Sequence, residues 1–138
     1  MTTLEAVVID TDVYSVLFTR RRNGDHRRDE WVSRLRGKRI VISFQTRAEV
    51  LAGAVAAEWG DRTLRELRRQ LDGAPTVHES LEVTDLRRTH RGLQEPGHPL
   101  HAKIYTGDRW VAACAITLGV KLFAGDSIYA QAPGLSLL

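Results

Sequence analysis

The chain has 138 residues, of which 43% are hydrophobic and 27% are charged, as in an ordinary soluble globular domain. Its single cysteine, Cys114, lies in an apolar run and excludes an intrachain disulfide. No apolar run approaches the ~20 residues of a membrane span, and residues 1–5 lack the basic and apolar parts of a signal peptide. We therefore expect residues 1–138 to form one cytoplasmic domain with no membrane partner.

Strand and helix patterns alternate along the chain. Strands are predicted over residues 5–10, 39–42 and 120–124, with a short strand at 76–77 and an edge strand at 135–138. Helices are predicted over residues 11–18, 26–35, 44–59, 61–71, 80–93 and 109–118. Residues 94–107 contain two prolines and two glycines, which predict a loop or a broken helix. This alternation predicts an α/β fold in which helices flank a parallel sheet on both faces.

The net charge of +3 is unevenly placed. Between Arg20 and Arg39 there are nine basic residues and only three acids. Such a segment favours an anionic polymer as partner, either RNA or an acidic protein. A solvated surface remains the alternative, because the chain has 17 arginines and only three lysines, a skew that a GC-rich genome can produce.

The first predicted strand ends in an acid. Val7, Val8 and Ile9 form an apolar run without alternation, which is typical of a strand buried on both faces, and Asp10 follows it. Ligands of open α/β sheets bind beyond the carboxyl ends of such strands, so Asp10 is a candidate site residue. The alternative is that Asp10 or Asp12 only caps the following helix.

Glu49 is the second informative acid, since the helix around it carries almost no other charge. It shares its helix face with the small residues Ala52, Gly53 and Ala56, which allow a neighbouring element to approach closely. The alternative is a capping box formed by Thr46 and Glu49, in which Glu49 only satisfies backbone donors.

Asp108 and Asp126 complete a set of four acids. Asp108 precedes an apolar helix and could be its cap, while Asp126 follows a predicted strand and could be a turn acid. Two of the four acids follow strands and two lie at helix starts, positions that gather along one edge of a parallel sheet. We therefore expect the four carboxylates to converge there.

Converging carboxylates repel one another unless a cation neutralises them. Mg²⁺ or Mn²⁺ is the natural choice, because both favour hard oxygen ligands and support the cleavage of phosphodiesters. A zinc site at His98 and His101 is a weak alternative, since no cysteine pair accompanies these histidines.

Four motifs give the chain a resemblance to a known family. They are Ile9-Asp10-Thr11; Thr46-x-x-Glu49 followed by Gly53; Asp108-x-Trp110-Val111-Ala112-Ala113; and Gly119 through Asp126 to Pro133-Gly134-Leu135. Together they resemble the PIN-domain ribonucleases and, more narrowly, the VapC-type toxins of bacterial toxin–antitoxin pairs. The resemblance runs from Val7 to Leu137, and its most specific parts are the Asp-x-Trp-Val-Ala-Ala block and the closing Pro-Gly-Leu.

The resemblance implies a three-layer α/β/α sandwich with a central, mostly parallel sheet, and an endoribonuclease that depends on Mg²⁺ or Mn²⁺. It also implies a homodimer, an RNA substrate and an antitoxin that covers the active site. The acids that match the family's catalytic and metal-binding residues are Asp10, Glu49, Asp108 and Asp126. The chain departs from the family at Ala124, where a hydroxyl residue is common.

Two other functions remain as alternatives. Asp10-Thr11-Asp12-Val13 matches the nucleophile motif of haloacid-dehalogenase-like phosphatases, but the chain is short for that fold, and Ala130 stands where a second acid is expected. The other alternative is a non-catalytic module that binds RNA or protein through the basic segment. Only Trp31 is interleaved with that segment, whereas base stacking needs several aromatic residues.

Overall fold

Four strands form one parallel sheet in the computed structural model, which describes residues 4–19, 24–77 and 84–138. The strands are β1 (Ala6–Ile9), β2 (Arg39–Ser43), β3 (Thr76–Val77) and β4 (Lys121–Phe123), in the order β3-β2-β1-β4. The α-helices of the described residues are α1 (Thr11–Phe18), α2 (Arg28–Leu35), α3 (Phe44–Ala56), α4 (Asp61–Asp72), α5 (Thr84–Leu93) and α6 (Thr106–Leu118).

Successive side chains of β1 enter two different cores, which makes the fold three layers deep. Val7 and Ile9 pack with apolar residues of α1, α2, α3 and α4 on one face of the sheet. Val8 packs with apolar residues of α5 and α6 on the other face. Both faces of the strand are therefore buried, as its unbroken apolar run predicts. The predicted α/β/α sandwich with a parallel sheet is confirmed.

The carboxyl ends of three strands meet at one edge of this sheet. Ile9 is in register with Ile42 on one side and with Phe123 on the other. Asp10 continues this pairing, because its backbone N–H donates to the carbonyl oxygen of Phe123 at 3.3 Å. The residues that follow the three strands therefore emerge side by side.

Several predicted boundaries need correction. Helix α6 begins at Thr106 rather than at residue 109, and two 3₁₀ turns, Pro99–His101 and Lys103–Tyr105, precede it. The predicted edge strand over residues 135–138 is wrong, since only one parallel bridge joins Leu137 to Leu122. Residues 80–83 of the predicted fifth helix lie outside the described residues. No helix in the described part of the chain combines the length and apolar character needed to span a membrane.

Candidate active site

Asp10 lies between β1 and α1 and is only 5% exposed. Its Oδ1 accepts a hydrogen bond of 3.0 Å from the backbone N–H of Val13, so the capping role proposed from the sequence is correct. The pKa of Asp10 is raised to about 7, chiefly by burial and then by the charges of Asp12, Asp108 and Asp126, while the bond from Val13 opposes the shift. Capping needs only the bond from Val13, so it does not explain why three other acids lie close to Asp10.

Asp108 lies in the first turn of α6 and is half-buried. The helix begins two residues earlier and has no side-chain cap, so Asp108 is not its N-cap. Instead, its Oδ1 accepts a hydrogen bond of 3.0 Å from the hydroxyl of Tyr129. Burial raises the pKa of Asp108, as do the charges of Glu49 and Asp126, against the effect of the Tyr129 bond.

Glu49 projects from the second turn of α3 and is exposed. The N-cap of α3 is Ser43, whose Oγ accepts the backbone N–H of Thr46 at 3.0 Å, so the capping box of Thr46 and Glu49 does not form. Its carboxylate accepts hydrogen bonds from the Thr11 hydroxyl at 2.5 Å and from the Gln45 amide at 2.9 Å. The bond from Thr11 joins α3 to the start of α1, and the two bonds together hold both carboxylate oxygens of Glu49.

Gly107 lets α6 approach Glu49 closely. A Cβ atom at this position would lie 2.7 Å from Glu49 Oε1 and 3.1 Å from the amide nitrogen of Gln45. Because the next residue is Asp108, this contact brings the acids of two helices together across the layers. The sequence marks Gly107 only as a helix breaker, so its role in packing against Glu49 is a finding of the structure.

Asp126 follows β4 and is exposed. Its Oδ1 accepts the backbone N–H of Ile128 at 2.9 Å, which caps the 3₁₀ turn Ser127–Tyr129. The turn-acid interpretation is therefore correct for its local geometry. The charge of Asp126 nevertheless raises the pKa of both Asp10 and Asp108, so it faces the same edge of the sheet.

The donor set at this edge fits a hard divalent cation. No ion pair joins any of the four acids to arginine or lysine among the described residues. Within that same part of the chain, each of the three aspartates has one carboxylate oxygen bonded to the protein and no partner on the other. A cation that binds these oxygens would neutralise the repulsion that raises the pKa of Asp10 and Asp108.

The acids do not form a preassembled cage. No group of three or more His, Cys, Asp or Glu side chains within residues 4–19, 24–77 and 84–138 stands ready to hold a metal ion. Mg²⁺ tolerates this arrangement, because it keeps several of its waters and binds proteins through one or two carboxylates. The zinc alternative gains no support, since His98 bonds through both ring nitrogens, to the N–H of Leu100 and the carbonyl oxygen of Ala130.

Asp12 plays a different part from the four acids. It accepts a bond of 3.2 Å from Arg27, whose guanidinium also pairs with Asp25 at 2.9 Å and lies 4.6 Å from the centre of the Trp31 ring. Asp12 therefore links α1 to the segment that leads into α2. Of the predicted basic segment, Arg20, Arg21 and Arg22 lie outside the described residues.

The PIN-domain family model matches residues 7–135. No curated protein matches the sequence. The chain covers nearly all of several solved structures at low identity. It matches VapBC2 from Rickettsia felis bound to a DNA fragment from its promoter, with a TM-score of 0.71, 16% identity, and 96% of this chain and 97% of that chain covered.

Two further structures give a similar picture. VapBC-1 from nontypeable Haemophilus influenzae matches with a TM-score of 0.68 and 20% identity over 96% of both chains. A toxin–antitoxin complex from Klebsiella pneumoniae matches with a TM-score of 0.65 and 22% identity over 94% of both chains. At these identities the matches establish a common fold.

Proposed function

The chain belongs to the PIN-domain family, and we propose that it is a divalent-metal-dependent endoribonuclease that serves as the toxin of a toxin–antitoxin pair. The observation that carries the proposal is the edge of the sheet where Asp10, Glu49, Asp108 and Asp126 gather. Two of these acids have raised pKa values, and no ion pair within the described residues compensates them. Membership of this family also removes the support for a phosphatase.

The proposed metal ligands are Asp10, Glu49, Asp108 and Asp126. Mg²⁺ or Mn²⁺ bound there supplies the activation of water and the neutralisation of charge that phosphodiester hydrolysis needs. The fold fixes one oxygen of each aspartate through Val13, Tyr129 and Ile128 and leaves the other oxygen for the cation. Thr11 of α1 and Gln45 of α3 restrict the carboxylate of Glu49.

Asp10 is buried in surroundings that disfavour its charged form. A cation therefore binds Asp10 only when the carboxyl group has lost its proton. Two of the other acids, Glu49 and Asp126, are exposed to solvent. All four acids remain proposed ligands, which hold the cation directly or through the waters that Mg²⁺ keeps in proteins.

We propose an antitoxin protein and an RNA substrate as partners, and a homodimer as the assembly. The structures that match this chain are described as VapBC or toxin–antitoxin complexes, and one of them is bound to promoter DNA. The many arginines between Arg20 and Arg39 support an anionic partner. RNA is the substrate that the family resemblance implies.

Cleavage by the purified chain tests the enzymatic part of the proposal. We expect a mixed pool of cellular RNA to be cut when Mg²⁺ or Mn²⁺ is present and to stay intact in excess chelator. Asp108→Asn should abolish cleavage, although its side-chain oxygen can still accept the Tyr129 hydroxyl. Asp61→Asn is the matched control, because Asp61 is an exposed acid in the first turn of α4.

Undiminished cleavage in chelator, or by Asp108→Asn, would contradict the proposed chemistry. The toxin role needs a separate experiment, in which the chain is expressed with and without the product of a short reading frame beside its gene. We expect growth arrest and new RNA ends only when that neighbour is absent. Light scattering of the purified chain then measures whether it is a dimer.

A further inference from the structure

Tyr129 is fully buried, and its hydroxyl reaches the acidic edge of the sheet. The ring packs in the core between the sheet and α6, together with Val8 and Leu122. The hydroxyl donates to Asp108 Oδ1 at 3.0 Å. The side chain therefore has a fixed apolar part and a polar end that contacts one of the proposed metal ligands.

A donor fixed in this way restricts the orientation of the acid it contacts. The terminal torsion of an aspartate is broad, so a carboxylate without a partner rotates freely between its two oxygens. A hydrogen bond to a carboxylate is about twice as strong as one between neutral groups, and this one comes from a ring that cannot move. It holds Oδ1 of Asp108 and leaves the other oxygen as the one without a hydrogen-bond partner among the described residues.

The same short turn connects Asp108 to Asp126. Asp126 caps the 3₁₀ turn Ser127–Tyr129 through Ile128, and Tyr129 is the last residue of that turn. The following residue is fixed as well, because the carbonyl oxygen of Ala130 bonds to His98 Nε2 at 2.7 Å. Two acids from separate elements are thus held by one rigid segment.

We infer that Tyr129 is a positioning residue that orients Asp108 toward the divalent cation and sets its placement relative to Asp126. The inference rests on the proposed function, since it needs a metal at this edge. It assigns a role to a residue that has no place among the four acids. Tyr129 acts through Asp108 and does not itself bind the metal.

Tyr129→Phe removes only the hydroxyl and leaves the ring in the core. The matched control is Tyr14→Phe, because Tyr14 is also buried but its hydroxyl has no hydrogen-bond partner among the described residues. Calorimetric titration with Mn²⁺ should give a dissociation constant that is about 10–100-fold weaker for Tyr129→Phe, the usual cost of removing a residue that orients a metal ligand. Tyr14→Phe should bind Mn²⁺ like the unmodified chain.

Melting temperatures in chelator separate positioning from folding. We expect the two Phe variants to melt within a few degrees of each other without metal. If Tyr129→Phe melts far below Tyr14→Phe, the hydroxyl serves folding and the inference is wrong. If both variants bind Mn²⁺ as the unmodified chain does, Tyr129 has no positioning role, while the proposed function stands. If the unmodified chain binds no Mn²⁺, the proposed function fails and the inference fails with it.

A double-mutant cycle tests whether Tyr129 acts through Asp108. Asp108→Asn keeps an acceptor for the hydroxyl but removes the charge that binds metal. Adding Tyr129→Phe to Asp108→Asn should weaken Mn²⁺ binding no further, because the group being positioned is no longer a ligand of the same kind. An additional loss equal to that of the single variant would overturn the inference.

Discussion

The two sides of the acidic site are built differently. Asp10 and Asp108 are buried or half-buried, and burial is the largest cause of their raised pKa values. Each is held by one donor of the fold, a backbone N–H or a buried tyrosine. Glu49 is exposed, and the donors that hold it are the side chains of Thr11 and Gln45. The core therefore fixes Asp10 and Asp108, whereas contacts between helix surfaces fix Glu49.

This difference separates stability from function. A carboxylate buried without a cation destabilises the folded state. The stability of the fold therefore gives no reason for an ionisable residue at position 10. An exposed carboxylate costs little, so Glu49 can be changed without affecting the core. Substitutions on the buried side should therefore change both stability and activity, while those on the exposed side should change activity alone.

Asp10→Asn should give the largest effect. Asn caps a helix as well as Asp and carries no charge. We expect metal-dependent cleavage to fall by more than the ~100-fold that loss of an orienting residue can cause. In chelator at pH 8 the variant should be more stable than the unmodified chain, by up to about 4 kcal/mol for a pKa raised from 3.8 to about 7. Chemical denaturation measures this difference.

The pH dependence of that difference follows from the sign of the shift. Below pH 4 Asp10 is protonated in both the folded and the unfolded state and costs nothing. Between pH 4 and about 7 the unfolded state loses the proton first, so the metal-free chain loses stability as the pH rises. Asp10→Asn should lack this slope. If stability falls with pH equally in the two proteins, the pKa of Asp10 is not raised in the folded state.

Glu49→Gln tests the exposed side. Gln can still accept the bond from Thr11, but it is uncharged and a poor ligand for Mg²⁺. We expect cleavage to fall by about 100-fold, while the free energy of unfolding stays within ~0.5 kcal/mol. Normal cleavage by this variant would remove Glu49 from the site, and a large loss of stability would show that the two sides are not distinct.

The sequence predicts the parts of this site that depend on strand ends. The apolar run before Asp10 predicts a strand buried on both faces, and the observed sheet and its two cores agree with it. The capping roles of Asp10 and Asp126 follow from their local surroundings in the same way. The sequence pattern is sufficient to predict a residue's role when that role depends on its immediate neighbours in the chain.

The sequence does not predict contacts across the layers. Gln45 and Glu49 are one turn apart, but nothing in their spacing indicates that Gly107 packs against both. Tyr129 lies 21 residues after Asp108, so their hydrogen bond depends on the packing of α6 against the sheet. Helix α6 starts at Thr106, three residues before the predicted start, and the Thr106 hydroxyl donates to the carbonyl oxygen of Lys103. This contact is local, but the prolines and glycines of residues 94–107 predict a break there.

Gly107→Ala should move Glu49 without touching the buried side. The new Cβ would lie 2.7 Å from Glu49 Oε1, and the flexible end of Glu49 can yield at little cost. Alanine also favours a helix over glycine by roughly 0.5–1 kcal/mol. We expect unchanged or higher stability together with about 10-fold slower cleavage. Gly92→Ala in α5 is the matched control, because its added Cβ would meet no atom from the rest of the described chain within 4 Å. Equal cleavage by both variants would show that the position of Glu49 is not critical.

The smallest effect is expected from the basic segment between Arg20 and Arg39. Replacing Arg20, Arg21 and Arg22 with Gln should weaken binding of either RNA or the antitoxin while leaving Mn²⁺ affinity unchanged. Each lost phosphate contact lowers the slope of log affinity against log salt by about 1, so RNA binding measured across a salt series reports the number of contacts. The control replaces Arg87, Arg88 and Arg91, three arginines of α5. If the two triple variants bind both partners equally well, the segment is ordinary surface.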